Sequence, residues 1–170
     1  MNTKNIATFF AILAAALYAI NIPLSKLLLE FVPPTMMAAF LYLGAGIGLF
    51  LYGKVTKEQG EKLTKAELPY TIGMIVLDIA APILLMLGLK STNSANASLL
   101  NNFEIVATSL IAFLIFREKL SKRLTFAILL VTAASIALSF EGEGSFRFNI
   151  GSLLVLGAAC CWGLENNCTR

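Results

Sequence analysis

Residues 149–170 read NIGSLLVLGAACCWGLENNCTR, and residues 5–26 read NIATFFAILAAALYAINIPLSK. With Tyr18 set on Trp162, an offset of 144, Thr8 meets Ser152, Ala14 and Ala15 meet Ala158 and Ala159, Ala19 meets Gly163, and Lys26 meets Arg170. Residue class is kept throughout: an apolar run, a small-residue patch, one aromatic, a polar Asn21 or Glu165, then a base. A segment that starts over after five apolar runs is the pattern of a membrane transporter with inverted halves.

Composition places the chain in a bilayer. Hydrophobic residues make up 58% and charged residues 14%, against about 45–50% and about 25% in soluble domains. The mean hydropathy is +0.80. A net charge of +3 comes without any basic cluster interleaved with aromatics, so nucleic acid is not an expected partner. All three cysteines, Cys160, Cys161 and Cys168, fall in the last apolar segment and have no partner elsewhere, which excludes a disulfide framework. There is no histidine and no metal-ligand spacing, so neither metal nor cofactor is expected.

Six apolar runs are long enough, or nearly so, to span the hydrocarbon core as helices: Ile6 to Leu29, Thr35 to Tyr52, Pro69 to Leu89, Ala95 to Phe116, Leu124 to Phe140 and Asn149 to Arg170. None alternates like an outer-membrane strand. The fold class is therefore all-α, a polytopic membrane helical bundle of about six transmembrane helices. Residues 1–145 form a first repeat of five helices and residues 146–170 the opening helix of an incomplete second repeat. A cleaved signal peptide over Ile6 to Ile22 is disfavoured, because such a segment has no reason to carry the Asn21, Pro23 and Lys26 pattern that the chain's end repeats in kind.

Loop charge gives an orientation. With the N-terminus inside, the cytoplasmic side receives nine bases: Lys4, Lys54, Lys57, Lys62, Lys65, Arg117, Lys119, Lys122 and Arg123. The other side receives two, Lys90 and Arg147. Lys and Arg collect in short cytoplasmic loops, so the N-terminus is expected inside. Five completed crossings then make the sixth segment run opposite to the first.

Asp78 and Glu104 lie near the middle of the third and fourth segments, where an ionised carboxylate is costly unless it faces a cavity or a partner. Ala97, Asn101, Glu104 and Thr108 recur at spacings of four, three and four, a narrow polar stripe that Asn102 widens. Pro82, four residues after Asp78, leaves a carbonyl free near that carboxylate. Asn21, Pro23 and Lys26 make a polar exit from the first segment, and Glu165, Asn166, Asn167 and Arg170 crowd below Trp162 in the sixth. Gly44 and Gly48 form a GxxxG, a signal for close helix packing.

At these residues the chain resembles the EamA-type domain of the drug/metabolite transporter superfamily, whose members carry two five-helix halves in inverted orientation. The points of likeness are Tyr18-Ala19-Ile20-Asn21, Pro33-Pro34, Gly88-Leu89-Lys90-Ser91-Thr92 leading into Ala95-Asn96-Ala97-Ser98, and Trp162-Gly163. Most telling is Phe116-Arg117-Glu118-Lys119-Leu120, similar to the family's glycine-glutamate-basic turn after its fourth helix. Two positions depart from the family: Glu104 stands where a proline is frequent, and Phe40 or its neighbours where an arginine is. The resemblance implies a solute transporter, frequently an exporter, and some four further helices.

Together these readings describe a bacterial inner-membrane carrier, multi-pass and with a cytoplasmic N-terminus, moving a small polar metabolite, amino acid or drug-like solute by alternating access. The expected substrate-binding residues are Asn21, Lys26, Asp78, Asn101, Glu104, Trp162, Glu165, Asn166 and Arg170. Lys26 and Arg170 are assigned to an anionic group, the three asparagines to directional hydrogen bonds, and Glu104 to a coupling proton or a substrate amine. The partners are the lipid bilayer, the solute and protons, with a homodimer as the way for such a chain alone to close a cavity. The alternative is a non-transporting membrane scaffold, whose polar residues only join helices. An enzyme lacks support, with no histidine, no GxSxG and no paired carboxylates at helical spacing.

Overall fold

In hydrocarbon every backbone amide must be paired within its own segment, and each apolar run is accordingly helical in a computed structural model of the chain. The structure describes residues 3–56, 63–117, 121–139 and 149–168. Its helices are α1 (Thr3–Leu28), α2 (Pro34–Thr56), α3 (Leu68–Ser91), α4 (Ser94–Asn101), α5 (Phe103–Phe116), α6 (Lys122–Ser139) and α7 (Ile150–Cys168). Among the described residues, Asn5–Leu28, Pro34–Thr56, Leu68–Ser91 and Ser94–Phe116 are long and apolar enough to cross a bilayer. The last of these joins α4 and α5. The fifth and sixth runs are α6 and α7, the latter made more polar by Glu165, Asn166 and Asn167.

Local chemistry sets the ends. Pro34 opens α2, where its missing N–H costs nothing. The Asn93 side chain caps α4 by accepting the Asn96 N–H at 2.7 Å, and the Ser121 hydroxyl accepts the Leu124 N–H at 3.2 Å before α6. Ahead of α3, the Glu67 carboxylate accepts both the N–H and the hydroxyl of Thr64, each at 2.7 Å. Those two bonds favour the ionised form and hold its carboxyl below the usual range. Helix α5 ends on Arg117 at φ 54°, a left-handed C-cap whose N–H reaches the Ala112 carbonyl.

The centre of the bundle is the crossing of α3 with α7. A Cβ placed on Gly88 would stand 2.6 Å from the Gly151 carbonyl oxygen, and one on Gly151 would stand 2.7 Å from that of Gly88. Both helices therefore need glycine there to approach this closely. On either side pack Ala81, Leu85, Met86 and Leu89 of α3 and Val155 and Ala158 of α7, all buried. Gly163 brings α7 equally close to α5, at Ala107. Without a hydrophobic drive between helices in lipid, contact of this density is what holds them together.

The same contacts fix direction. Gly88 meets Gly151 and Val155, whereas Gly73 faces Cys168, so α3 and α7 run antiparallel. At the first of these ends, Lys26 of α1 donates to carbonyls of the α3 terminus and the Asn149 side-chain amide donates to the Ser91 carbonyl. Helix α7 therefore starts at the end of the bundle where α1 stops.

Two expectations change. The GxxxG of α2 makes no close contact: a Cβ on Gly44, Gly46 or Gly48 would meet nothing within 4 Å among the described residues. Small residues permit approach but do not supply a partner. The fourth run is also two helices rather than one. The expected repeat boundary at residues 145 and 146, and Lys57, Lys62, Glu118, Lys119, Leu120, Arg147 and Arg170, lie outside the described residues.

Candidate functional site

Polar side chains from six helices come together within the apolar spans, in two groups, with Tyr18 55% and Tyr42 41% exposed. In the first, the Trp162 indole N–H of α7 donates to the Tyr42 hydroxyl of α2 at 3.4 Å, and that hydroxyl donates to Asp78 Oδ1 of α3 at 3.2 Å. In the second, Asn166 of α7 donates to Glu104 Oε1 of α5 at 2.8 Å and to the Thr108 hydroxyl at 3.4 Å. Alongside it, Asn101 of α4 donates to the Tyr18 hydroxyl of α1 at 2.9 Å. Glu165 joins the groups, being within electrostatic reach of both Asp78 and Glu104.

The junction of α4 and α5 places this second group. At Asn102 the hydrogen bonding tightens to three-residue spacing, from Asn102 N to Leu99 O at 3.1 Å and from Ile105 N to Asn102 O at 3.2 Å. A short tight turn inside a membrane span is a common hinge. It also makes Glu104 the acidic residue in the first turn of α5, where the N-terminal helix dipole favours a carboxylate. Asn102 itself is exposed and donates to the Ser98 carbonyl, so it does not widen the polar stripe.

Asparagine 167 turns its amide the other way, donating to the Gly163 and Thr108 carbonyls and tying α7 to α5 at their closest approach. The side-chain oxygens of Asn101 and Asn167 are buried and accept no bond among the described residues. None of the three carboxylates forms an ion pair there, and they do not converge into a metal-binding group.

Six of the sequence-derived site residues come together: Asp78, Asn101, Glu104, Trp162, Glu165 and Asn166. Two do not. Asn21 accepts the Ser25 hydroxyl at 3.1 Å within its own helix. Lys26 donates to the carbonyls of Leu89 at 2.6 Å, Lys90 at 3.2 Å and Thr92 at 2.6 Å. An ammonium has three N–H donors, and all three are engaged at the α3 C-terminus, where the helix dipole favours a cation. The described end of α7, Cys168 beside Gly73, lies fifteen residues along α3 from Gly88, a rise of about 22 Å. The Lys26 end is thus remote from the α7 terminus that leads to Arg170, which is itself outside the described residues.

Two tyrosines join the cluster without having been expected as site residues: Tyr18, read from sequence only as the counterpart of Trp162 and part of a motif, and Tyr42, which residue reasoning passed over. Their signal was a phenol well inside an apolar run, away from either end where belt tyrosines collect. Between α2 and α3 a groove of about 410 Å³ opens beside this group, lined by Thr35, Ala38, Tyr42, Ile75, Asp78 and Pro82 among others.

These features define a polytopic helical membrane protein with a cluster of polar side chains where its helices meet. Residues 5–140 match the EamA-like transporter family, and the chain belongs to that family. It is also 29% identical, over 171 aligned residues, to an uncharacterized transporter of Methanothermobacter thermautotrophicus, across 91% of this chain and 50% of that protein. The chain thus spans about half the length of the curated relative it matches. No solved structure matches it. Transport is the general function named for that family and for that relative.

Proposed function

We propose that the chain forms one side of a carrier that exports a small polar metabolite, amino acid or drug-like solute across the cell membrane by alternating access. Its N-terminus faces the cytoplasm, and the polar cluster with the α2–α3 groove beside it forms the chamber that serves as the solute site. The observation that carries this reading is the convergence of Tyr18, Tyr42, Asp78, Asn101, Glu104, Trp162, Glu165 and Asn166 from six helices of an apolar bundle. Interior polar residues in hydrocarbon are costly and persist where they face a pathway. A second observation fits: α7 begins where α1 ends, the antiparallel relation that inverted repeats require, with residues 1–145 as one repeat and 146–170 opening the next.

No step needs covalent chemistry. Asn101, Asn166 and Tyr18 orient the solute, and Glu104 takes up and releases the coupling proton as the chamber opens to each side in turn. The tight turn at Asn102 supplies the hinge. The test is Glu104→Gln in the intact protein, reconstituted with a transported solute. The expected result is a loss of about tenfold or more in rate together with a flattened pH profile. An unchanged rate and pH dependence would remove Glu104 from the mechanism, and unchanged transport after replacing the chamber's polar residues by apolar ones of similar size would remove the chamber itself.

A further inference from the structure

The α2–α3 groove and the polar cluster share two residues, Tyr42 and Asp78. Asp78 is the charged member of the groove's lining, whose other walls are largely alanine, isoleucine and proline. Its carboxylate accepts one hydrogen bond, from Tyr42 at 3.2 Å, although a carboxylate has about four acceptor sites. Other acceptors of the polar cluster share the same surplus. The Glu165 and Glu104 carboxyl groups form no ion pair among the described residues, and the Asn101 side-chain oxygen, in a residue 4% exposed, has no donor there. The one lysine reaching into the bundle from α1, Lys26, has its donors committed at the far end of α3.

A ligand that answers this imbalance brings N–H donors and positive charge. The apolar walls ask for a hydrocarbon body, and the rings of Tyr42 and Trp162, joined to Asp78 through one hydrogen-bonded chain, favour a cation beside them. The groove volume of about 410 Å³ is that of a small-molecule site. We infer that the chamber takes a small amphipathic primary amine, its ammonium on Asp78 beside Tyr42 and Trp162 and its apolar body in the α2–α3 groove. This reverses the charge of the solute that Lys26 and Arg170 suggested from sequence. It rests on the transport reading for its purpose, but its binding is testable alone.

Trp162 is the single tryptophan of the chain, so its fluorescence reports on this site directly. The experiment titrates purified protein in a non-ionic detergent with octylammonium, with octanoate and 1-octanol as probes of equal length. Octylammonium is expected to change Trp162 emission saturably and the other two to leave it unchanged. Asp78→Asn is expected to weaken octylammonium by about tenfold or more. Ala39→Phe, which fills the groove and leaves every carboxylate in place, is expected to weaken it similarly, each variant being checked for helicity by circular dichroism. Equal responses to octanoate or octanol, or wild-type binding by both variants, would overturn the inference. So would displacement of octylammonium by dihexanoyl-phosphatidylethanolamine at equal concentration, which would make the occupant a lipid headgroup. Amine binding without flux in proteoliposomes would sustain the site and remove the transport reading, whereas flux of an anion without amine binding would do the reverse.

Discussion

The α3–α7 pair and helix α2 use glycine in opposite ways. Gly88 and Gly151 press together until neither could carry a methyl group, while Gly44, Gly46 and Gly48 border open space. The same contrast holds for whole helices: a third of the α3 span is buried, against 11% of α2 and 6% of α1. One part of the molecule is a close-packed wedge, and the other is a pair of helices held to it by few contacts. The difference teaches that a small-residue motif records what a helix surface permits, whereas a partner must be supplied by topology. It also places the chamber at the seam, where Tyr18 and Tyr42 of the loosely held helices reach side chains of the tightly held ones.

That contrast can be broken most directly by adding one methyl group on each side of it. Gly88→Ala is expected to lower stability by about 2–3 kcal/mol through overpacking against backbone. Gly46→Ala should stay within about 1 kcal/mol of wild type and on the stabilising side, since alanine is the better helix former. Thermal unfolding in detergent followed by circular dichroism measures both. Equal losses would show that the α2 stripe has a partner after all.

Lys26 is one of the ties across the seam, so Lys26→Met tests whether it is a strut or a ligand. Removing three bonds to the α3 terminus is expected to cost about 1–2 kcal/mol, with octylammonium binding at Trp162 retained. An unchanged melting midpoint combined with lost binding of an anionic solute would restore the role the sequence suggested. A smaller effect of opposite sign belongs to Arg117, whose φ of 54° glycine adopts without strain. Arg117→Gly is expected to raise stability by about 1 kcal/mol in the same assay. The family's glycine in the corresponding turn has the same physical reason.

The smallest effect concerns the loop before α3. The Glu67 carboxyl is held below its ordinary value by Thr64, so its contribution is complete above the unfolded value of 4.5 and is lost as pH falls through the lower folded one. Protection of the Thr64 amide, taken relative to its intrinsic exchange rate at each pH, should fall over that acid window, and Glu67→Gln should remove that change in protection. A pH-independent protection of the Thr64 amide in the wild-type chain would contradict the capping.

Much of the chamber was legible because charge and amide groups stand out against hydrocarbon. Asp78, Glu104 and Trp162 could be found by depth within a segment, and Asn101 by its helical spacing from Glu104. Lys26 was misplaced by the same logic, since a base at a helix end looks alike whether it meets a solute or three carbonyls. Tyr42 was missed because its hydroxyl is polar only at the tip, so its ring counts toward an apolar run. The break at Asn102 had no proline or glycine to announce it.

By itself the sequence determined the class: runs of some twenty apolar residues must become helices in a bilayer because nothing else there can satisfy a backbone. It also marked the residues too polar to face hydrocarbon without a partner or a cavity. Only the tertiary structure decided which of them meet. Hydropathy is a property of one segment, whereas the crossing of α3 with α7, the capping of α3 by Lys26 and the Trp162–Tyr42–Asp78 chain each depend on the distance between segments far apart in sequence. Close packing sets those distances, and the helix that starts after Asn149 shows it: α7 is the one against which α3, α4 and α5 pack.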